Sequence, residues 1–132
     1  MKSFDEVNDF FKKDIYAYKT TGIEIVDAKP GYSKVALNTD ERHLNANNFL
    51  MGAVYYTMAD YAFAIANNYD YDNSSVVTLQ ASISYVKMPK TKDIYAVCNC
   101  IKDGRTTTNY ETNITDGDGN LLATVTSVGY KR

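Results

Sequence analysis

The stretch from Phe49 to Ala66 constrains the fold of this chain more than any other part of the sequence. Only Thr57 and Asp60 in it carry firmly polar side chains, and the other residues are apolar, aromatic or small. A helix that is apolar on all sides is normally buried on all sides. The rest of the chain offers enough strands to bury one helix, so we expect a central core helix over residues 52–66 rather than a membrane span.

Asp60 is the exception within this apolar helix. A buried carboxylate is costly unless it is paired, hydrogen-bonded or protonated, and perturbed acids of this kind cluster at functional sites. We therefore interpret Asp60 as a candidate functional residue. The alternative is a structural acid that is bonded to the backbone or to tyrosine hydroxyl groups.

The length and charge of the chain limit the classes of protein to which it can belong. Its 132 residues suit a single domain, residues 1–132, that buries a sizeable core. The formal net charge of -2 offers no broad basic surface for nucleic acid. The amino terminus has no long apolar run, so we expect no signal peptide.

The two cysteines indicate neither a disulfide nor a metal site. Cys98 and Cys100 are separated by one residue, so in a strand they share a face about 6.6 Å apart along the chain. That spacing suits a disulfide poorly. The only histidine, His43, lies far away in the sequence. We predict two reduced thiols in a cytoplasmic protein with no bound metal.

The remaining patterns predict an α+β chain with elements on both sides of the central helix. Ser3 and Glu6 fit a capping box, and the apolar residues beyond them recur at helical spacing, which predicts an N-terminal helix over residues 3–18. Two short strands, 23–28 and 32–37, flank a turn at Pro30. Alternating residues predict the main antiparallel strands over 76–130, divided by turns into 76–88, 93–102, 105–115 and 121–130.

The central helix and the loop before it carry a family resemblance. This part of the chain resembles the PaaI-like branch of the hotdog-fold acyl-CoA thioesterases, whose pattern is approximately H-x-N-x-x-G-x-x-H-G-G followed by L-x-D-x-A. The residues that match this pattern are His43, Asn45, Gly52, Asp60 and Ala62. The chain departs from it where Asn48 replaces the first glycine, Met51 the second histidine, and Ala53 the last glycine.

The resemblance implies a hotdog fold, in which a long central helix is wrapped by a curved antiparallel sheet, here with an extra N-terminal helix. It also implies hydrolysis of acyl-CoA, or of a related acyl thioester, at a site shared between two subunits. In that site Asp60 of one subunit is the general base or nucleophile and faces the Gly52 N–H group of the other. Asn45 donates its side-chain amide to the same thioester oxygen, and Thr78 orients the water or the acid.

Elementary chemistry also allows simpler roles for these residues. The N–H groups at a helix N-terminus are unpaired and partially positive, and Gly52 has no side chain to block a substrate, but a glycine there also suits tight packing. Asn45 is equally compatible with a loop asparagine that bonds to its own backbone. Thr78 is compatible with an ordinary strand residue.

Candidates for substrate binding lie near the start of the helix and in the second half of the chain. His43 sits at the mouth of the loop, and Met51 offers only apolar contact. Basic residues at strand ends and turns, Lys87, Lys90, Lys92, Lys102 and Arg105, are candidates for the phosphates of coenzyme A. Coenzyme A enters only as part of the substrate, and we predict no other cofactor. We also predict self-association as a dimer or tetramer, with no nucleic-acid or membrane partner.

Met51 keeps a second functional class open. Without a histidine at this position, the chain is also compatible with a non-catalytic acyl-thioester or lipid-binding hotdog protein. A hotdog dehydratase fits less well, because it would need the histidine that Met51 replaces. Turnover of acyl-CoA separates hydrolysis from binding alone.

Overall fold

The computed structural model describes residues 1–132, which form one antiparallel sheet, two α-helices, a π-helical segment and a short 3-10 turn. The helical elements are α1 (Phe4–Phe11), the π-helical segment (Ile15–Thr21), the 3-10 turn (Glu41–His43) and α2 (Gly52–Asn67). The strands are β1 (Glu24–Lys29), β2 (Tyr32–Asn38), β3 (Val76–Tyr85), β4 (Asp93–Asp103), β5 (Thr107–Asp116) and β6 (Leu121–Lys131). They lie in the order β1-β2-β4-β5-β6-β3. No helix has the length and apolar character that a membrane span requires.

The sheet curves around α2. This helix contacts all six strands. A flat sheet of six strands about 4.8 Å apart would be roughly 24 Å wide, whereas a helix is only about 10 Å wide. All six strands can therefore contact α2 only because the sheet curves around it. Met58, Phe63 and Ile65 on α2 are buried beneath the sheet and form the centre of the core. This arrangement is the hotdog fold, which confirms the prediction from the sequence.

One face of α2 is not covered by the sheet. Its residues recur at spacings of three and four, and they are Ala53, Tyr56, Thr57, Asp60, Ala64 and Asn67. We call this face the open stripe. β3 packs along one side of it and the π-helical segment along the other. The expectation that α2 is buried on all sides is therefore wrong for the single chain, because both neighbouring elements stop at the borders of the stripe.

The N-terminal region is not one helix over residues 3–18. The capping box of Ser3 and Glu6 is present, but α1 ends at Phe11 and a separate π-helical segment begins at Ile15. The break has a local cause, because Asp14 accepts a hydrogen bond of 2.8 Å from the N–H group of Ala17 and so caps a new segment. The prediction of a continuous helix is therefore wrong, although the predicted residues are mostly helical.

The predicted strands are present, with one irregularity that matters for the site. β3 is an edge strand, and Thr78 pairs with Gly129 while Gln80 pairs with Val128, so Leu79 is an extra residue in a β-bulge. Simple alternation would place Thr78 on the face opposite to Tyr85. The bulge brings both side chains towards α2, since each of them contacts that helix.

Candidate active site

The first turn of α2 presents unpaired backbone donors. The N–H groups of Gly52 and Ala53 have no hydrogen-bond acceptor within the chain, and the preceding residue, Met51, provides no side-chain cap. Such a helix end carries a partial positive charge. It is therefore suited to polarise a carbonyl oxygen or to bind an anion.

Tyr85 packs against this turn and crowds the space beside residue 52. Its hydroxyl group donates a hydrogen bond of 2.9 Å to the carbonyl oxygen of Gly52. A β-carbon on residue 52 would lie only 2.9 Å from the same hydroxyl oxygen. A larger residue at position 52 would displace the Tyr85 hydroxyl group, whereas glycine keeps this contact and leaves its own N–H group free. The sequence contains no signal for this contact beyond the position of Tyr85 on a predicted strand.

The loop before α2 is held by its own asparagines. The side-chain oxygen of Asn45 accepts hydrogen bonds from the N–H groups of Asn47, at 2.9 Å, and Phe49, at 3.1 Å. Its amide nitrogen has no partner within the chain and is free to donate. Asn48 has a positive φ of 64°, a conformation that glycine adopts most easily and asparagine tolerates better than most residues. This explains how Asn48 replaces the glycine of the family pattern.

Asp60 lies on the open stripe, two helical turns beyond the free N–H groups. The residue is exposed in the single chain, so the expectation of a fully buried acid is wrong. The surrounding helix and strand still remove part of the water around the carboxylate, and this desolvation raises the pKa of Asp60. A hydrogen bond of 3.4 Å from the Thr78 hydroxyl group opposes the rise, and the negative charge of Asp14 adds to it.

The spacing between the donors and the acid excludes a shared target within one chain. Gly52 and Asp60 are eight residues apart on α2, which corresponds to about 12 Å along the helix axis. The two groups therefore cannot act on one small reacting centre of a bound molecule unless a second chain supplies one of them. Both residues are accessible from outside in the single chain, Gly52 partly and Asp60 fully enough to be exposed.

His43 is occupied by structural hydrogen bonds. It is buried, its Nε2 atom lies 2.7 Å from the carbonyl oxygen of Thr21, and its Nδ1 atom accepts a hydrogen bond of 3.0 Å from the N–H group of Asp40. These bonds join the loop before α2 to the end of the π-helical segment. Neither ring nitrogen is left free for the substrate contact that the sequence predicted.

The basic residues do not form one patch within the single chain. Lys90 and Lys92 line a cavity of about 270 Å³ beside the loop before α2, together with Phe49 and Met88. Lys87 is nearby in sequence and contacts Asn120. Lys102 and Arg105 lie at the other end of β4, a strand whose length places them about 30 Å away.

The comparisons with known proteins agree with this architecture. A family model for the thioesterase superfamily matches residues 47–123, which span α2 and most of the sheet. The chain belongs to the thioesterase superfamily. A relative from Archaeoglobus fulgidus, provisionally named an esterase, is 26% identical over 128 residues, which cover 96% of this chain and 82% of the relative.

Solved structures share the fold of this superfamily member. The E. coli PaaI protein from the phenylacetic acid degradation operon superposes with a TM-score of 0.87 at 19% identity, covering 98% of this chain and 92% of that one. A Streptococcus mutans protein bound to acetyl CoA superposes with a TM-score of 0.76 at 24% identity, covering 83% and 88%. Identities this low establish the common fold alone. Membership of the thioesterase superfamily indicates thioester hydrolysis as the general chemistry.

Proposed function

We propose that this protein hydrolyses acyl-CoA, or a related acyl thioester, at a site shared by two copies of the chain. One observation carries the proposal: α2 begins with the free N–H groups of Gly52 and Ala53, and the carboxylate of Asp60 lies on the open stripe of the same helix, about 12 Å further along its axis. An antiparallel pair of such helices places the acid of each copy opposite the donors of the other. The small side chains of Ala53 and Ala64 on the open stripe favour a close approach of the two helices.

The proposed reaction uses these groups in order. The thioester oxygen accepts hydrogen bonds from the Gly52 N–H group and the free Asn45 amide, which stabilise the negative charge of the tetrahedral intermediate. Asp60 of the second copy removes a proton from a water molecule while the water oxygen attacks the carbonyl carbon. The carbon–sulfur bond then breaks. Asp60 returns its proton to the departing sulfur, so that coenzyme A leaves as the free thiol. Thr78 holds the acid through its hydrogen bond.

The basic residues have a role in this proposal as contacts for the coenzyme A moiety. Lys90 and Lys92 line the cavity beside the helix start, and Lys87 is close to them in sequence. An antiparallel pair also brings the end that carries Arg105 in one copy to the same side as Lys87 and Lys90 of the other. The acetyl CoA bound by the Streptococcus mutans protein supports a thiol carrier of this class. The exposed Met51 side chain supplies apolar contact only.

Complementation between two inactive variants tests both the activity and the shared site. We expect thiol release from acyl-CoA to be lost in Asp60→Asn and in Gly52→Val. A mixed dimer restores one intact site of two, so random mixing recovers about a quarter of the wild-type rate. No recovery, with both variants folded and dimeric, contradicts the shared site.

Binding without turnover is the second candidate function, because Met51 stands where the family pattern has a polar histidine. It predicts no thiol release from any acyl-CoA by the wild-type protein. The ligand would still raise the melting temperature in that case. A measurement of turnover and thermal shift on the same samples therefore separates the two functions.

A further inference from the structure

A second cavity, distinct from the one lined by the lysines, lies beside the start of α2. Its volume is about 360 Å³, and it lies between the π-helical segment and the first two turns of α2. Its walls are formed by Tyr16, Leu44, Met51, Ala53, Val54 and Thr57, with Thr20, Thr21, Arg42 and His43 at the end near the loop. We call it the stripe cavity, because Ala53 and Thr57 belong to the open stripe.

The stripe cavity begins where a thioester carbonyl would bind. Met51 and Ala53 line it, and they are the immediate neighbours of Gly52. The N–H group of Ala53 is itself one of the two unpaired donors. A carbonyl oxygen held by these donors therefore has one of its two substituents next to this cavity.

Thr57, Arg42 and His43, which line the stripe cavity, are already hydrogen-bonded within the protein. The Thr57 hydroxyl group donates to the carbonyl oxygen of Ala53 at 2.9 Å. The guanidinium group of Arg42 bonds to Asp40 at 3.2 Å and to the carbonyl oxygen of Thr20 at 3.1 Å. The cavity consequently offers a largely apolar surface. The lysine-lined cavity differs from it in carrying two cationic side chains, Lys90 and Lys92, so the phosphates of coenzyme A match that cavity better than this one.

We propose that the stripe cavity binds the acyl group of the substrate and limits its size. The volume of 360 Å³ in the single chain corresponds to about twelve water volumes, and it is an upper bound because the second copy packs against the open stripe that forms one wall; it admits an acyl group of at most roughly ten non-hydrogen atoms. Acetyl to octanoyl groups and single-ring acyl groups fit, and long fatty chains do not. The inference rests on the proposed function, since it assigns the acyl subsite of that reaction.

Substitutions at Thr57 test the size limit. Thr57→Leu fills the cavity with a residue of good helix propensity, and Thr57→Ala enlarges it at the same position. We expect Thr57→Leu to lower the ratio of kcat/KM for octanoyl-CoA to kcat/KM for acetyl-CoA by more than about tenfold. Thr57→Ala keeps or raises this ratio. Ile15→Ala is the control, because Ile15 is an exposed residue of the π-helical segment that forms the other wall, but it does not line the cavity itself. In this variant the octanoyl to acetyl ratio of kcat/KM stays at the wild-type value.

A binding measurement keeps the test independent of catalysis. The extra thermal stabilisation of the wild-type protein by octanoyl-CoA, relative to coenzyme A, disappears in Thr57→Leu and persists in Thr57→Ala and Ile15→Ala. An unchanged octanoyl to acetyl ratio and an unchanged thermal shift in a folded Thr57→Leu variant overturn the assignment of the cavity. Absence of turnover in the wild-type protein, with the thermal shifts as expected, overturns the hydrolysis proposal and supports the acyl subsite.

Discussion

The hydroxyl group of Tyr85 lies 2.9 Å from the carbonyl oxygen of Gly52 and fills the space that a β-carbon on residue 52 would need. This contact joins the end of β3 to the first turn of α2. The hydrogen bond from Tyr85 therefore helps to position the turn that carries the unpaired N–H groups relative to the edge strand.

The first prediction concerns this contact. Gly52→Ala should reduce the free energy of unfolding by about 1 kcal/mol, because the new methyl group displaces the Tyr85 hydroxyl group and its hydrogen bond is lost. In a Tyr85→Ala background the same substitution should cost less than about 0.5 kcal/mol. Urea unfolding of the four proteins measures this coupling, and equal costs in both backgrounds would show that the contact is not the cause.

The second prediction concerns stability at Asp60. A carboxyl group whose pKa is raised in the folded state binds its proton more tightly there than in the unfolded chain. The folded state therefore loses stability as the pH rises through the titration of Asp60. Thermal unfolding at pH 7 should give Asp60→Asn a melting temperature equal to or above that of the wild type, although thiol release is lost. A clear fall in melting temperature would assign Asp60 a structural role.

The third prediction uses Thr78 to shift the pH dependence of activity. Its hydrogen bond lowers the pKa of Asp60 and so opposes the effect of desolvation. Thr78→Val removes the donor, which should move the acidic limb of the kcat/KM profile to higher pH. Thr126→Val, at an exposed position on the neighbouring strand β6, is the control and should leave the limb in place. An unmoved limb in Thr78→Val would argue against Asp60 as the base.

The fourth prediction concerns two buried threonines of β5. The hydroxyl group of Thr112 is buried and has no oxygen or nitrogen partner, only the weakly accepting Cys98 thiol opposite it, whereas that of Thr108 donates to the side-chain oxygen of Asn67 at 2.9 Å. Valine at position 112 should stabilise the fold by about 1 kcal/mol, and valine at position 108 should destabilise it by a similar amount. Denaturant unfolding of both variants measures the change in the free energy of unfolding at each position. A loss of stability at both positions would contradict the prediction.

The fifth prediction concerns the turn between β5 and β6. The carboxylate of Asp116 accepts hydrogen bonds from the backbone N–H groups of Lys90, Asp118 and Asn120, which lower its pKa to about 2. Its contribution to stability is complete above the unfolded value of about 3.9 and is lost as the pH falls through about 2. Asp116→Asn should therefore melt below the wild type at pH 7, by a margin that shrinks between pH 4 and pH 2. The exposed Asp118→Asn control should show no such trend.

The sequence predicts the fold because its patterns are strong and local. The apolar run of α2 and the alternation of Ile94, Ala96 and Cys98, which are all buried, each reflect a single periodic face. The end of α1 at Phe11 could not be predicted in this way. The apolar spacing continues past it, whereas the cap formed by Asp14 begins a new segment.

The site is less accessible to sequence reasoning than the fold. Alternation places Thr78 on the wrong face of β3, and only the bulge at Leu79 turns it towards Asp60. The environment of Asp60 depends on where two neighbouring elements end, which no local pattern encodes. The contact between Tyr85 and Gly52 joins residues that are 33 positions apart. Contacts of this kind follow from the assembled fold rather than from the residues near them.

Gly52 and Asp60 belong to one uninterrupted helix, and this sets a limit on how such a protein diversifies. Inserting or deleting a single residue between them would turn the acid by about 100° and carry it out of the open stripe. Loops elsewhere can change length without altering the spacing between Gly52 and Asp60. New substrate preferences are consequently expected to arise by substitution of the side chains that line the cavities. The distance between the N–H donors and the acid stays constant.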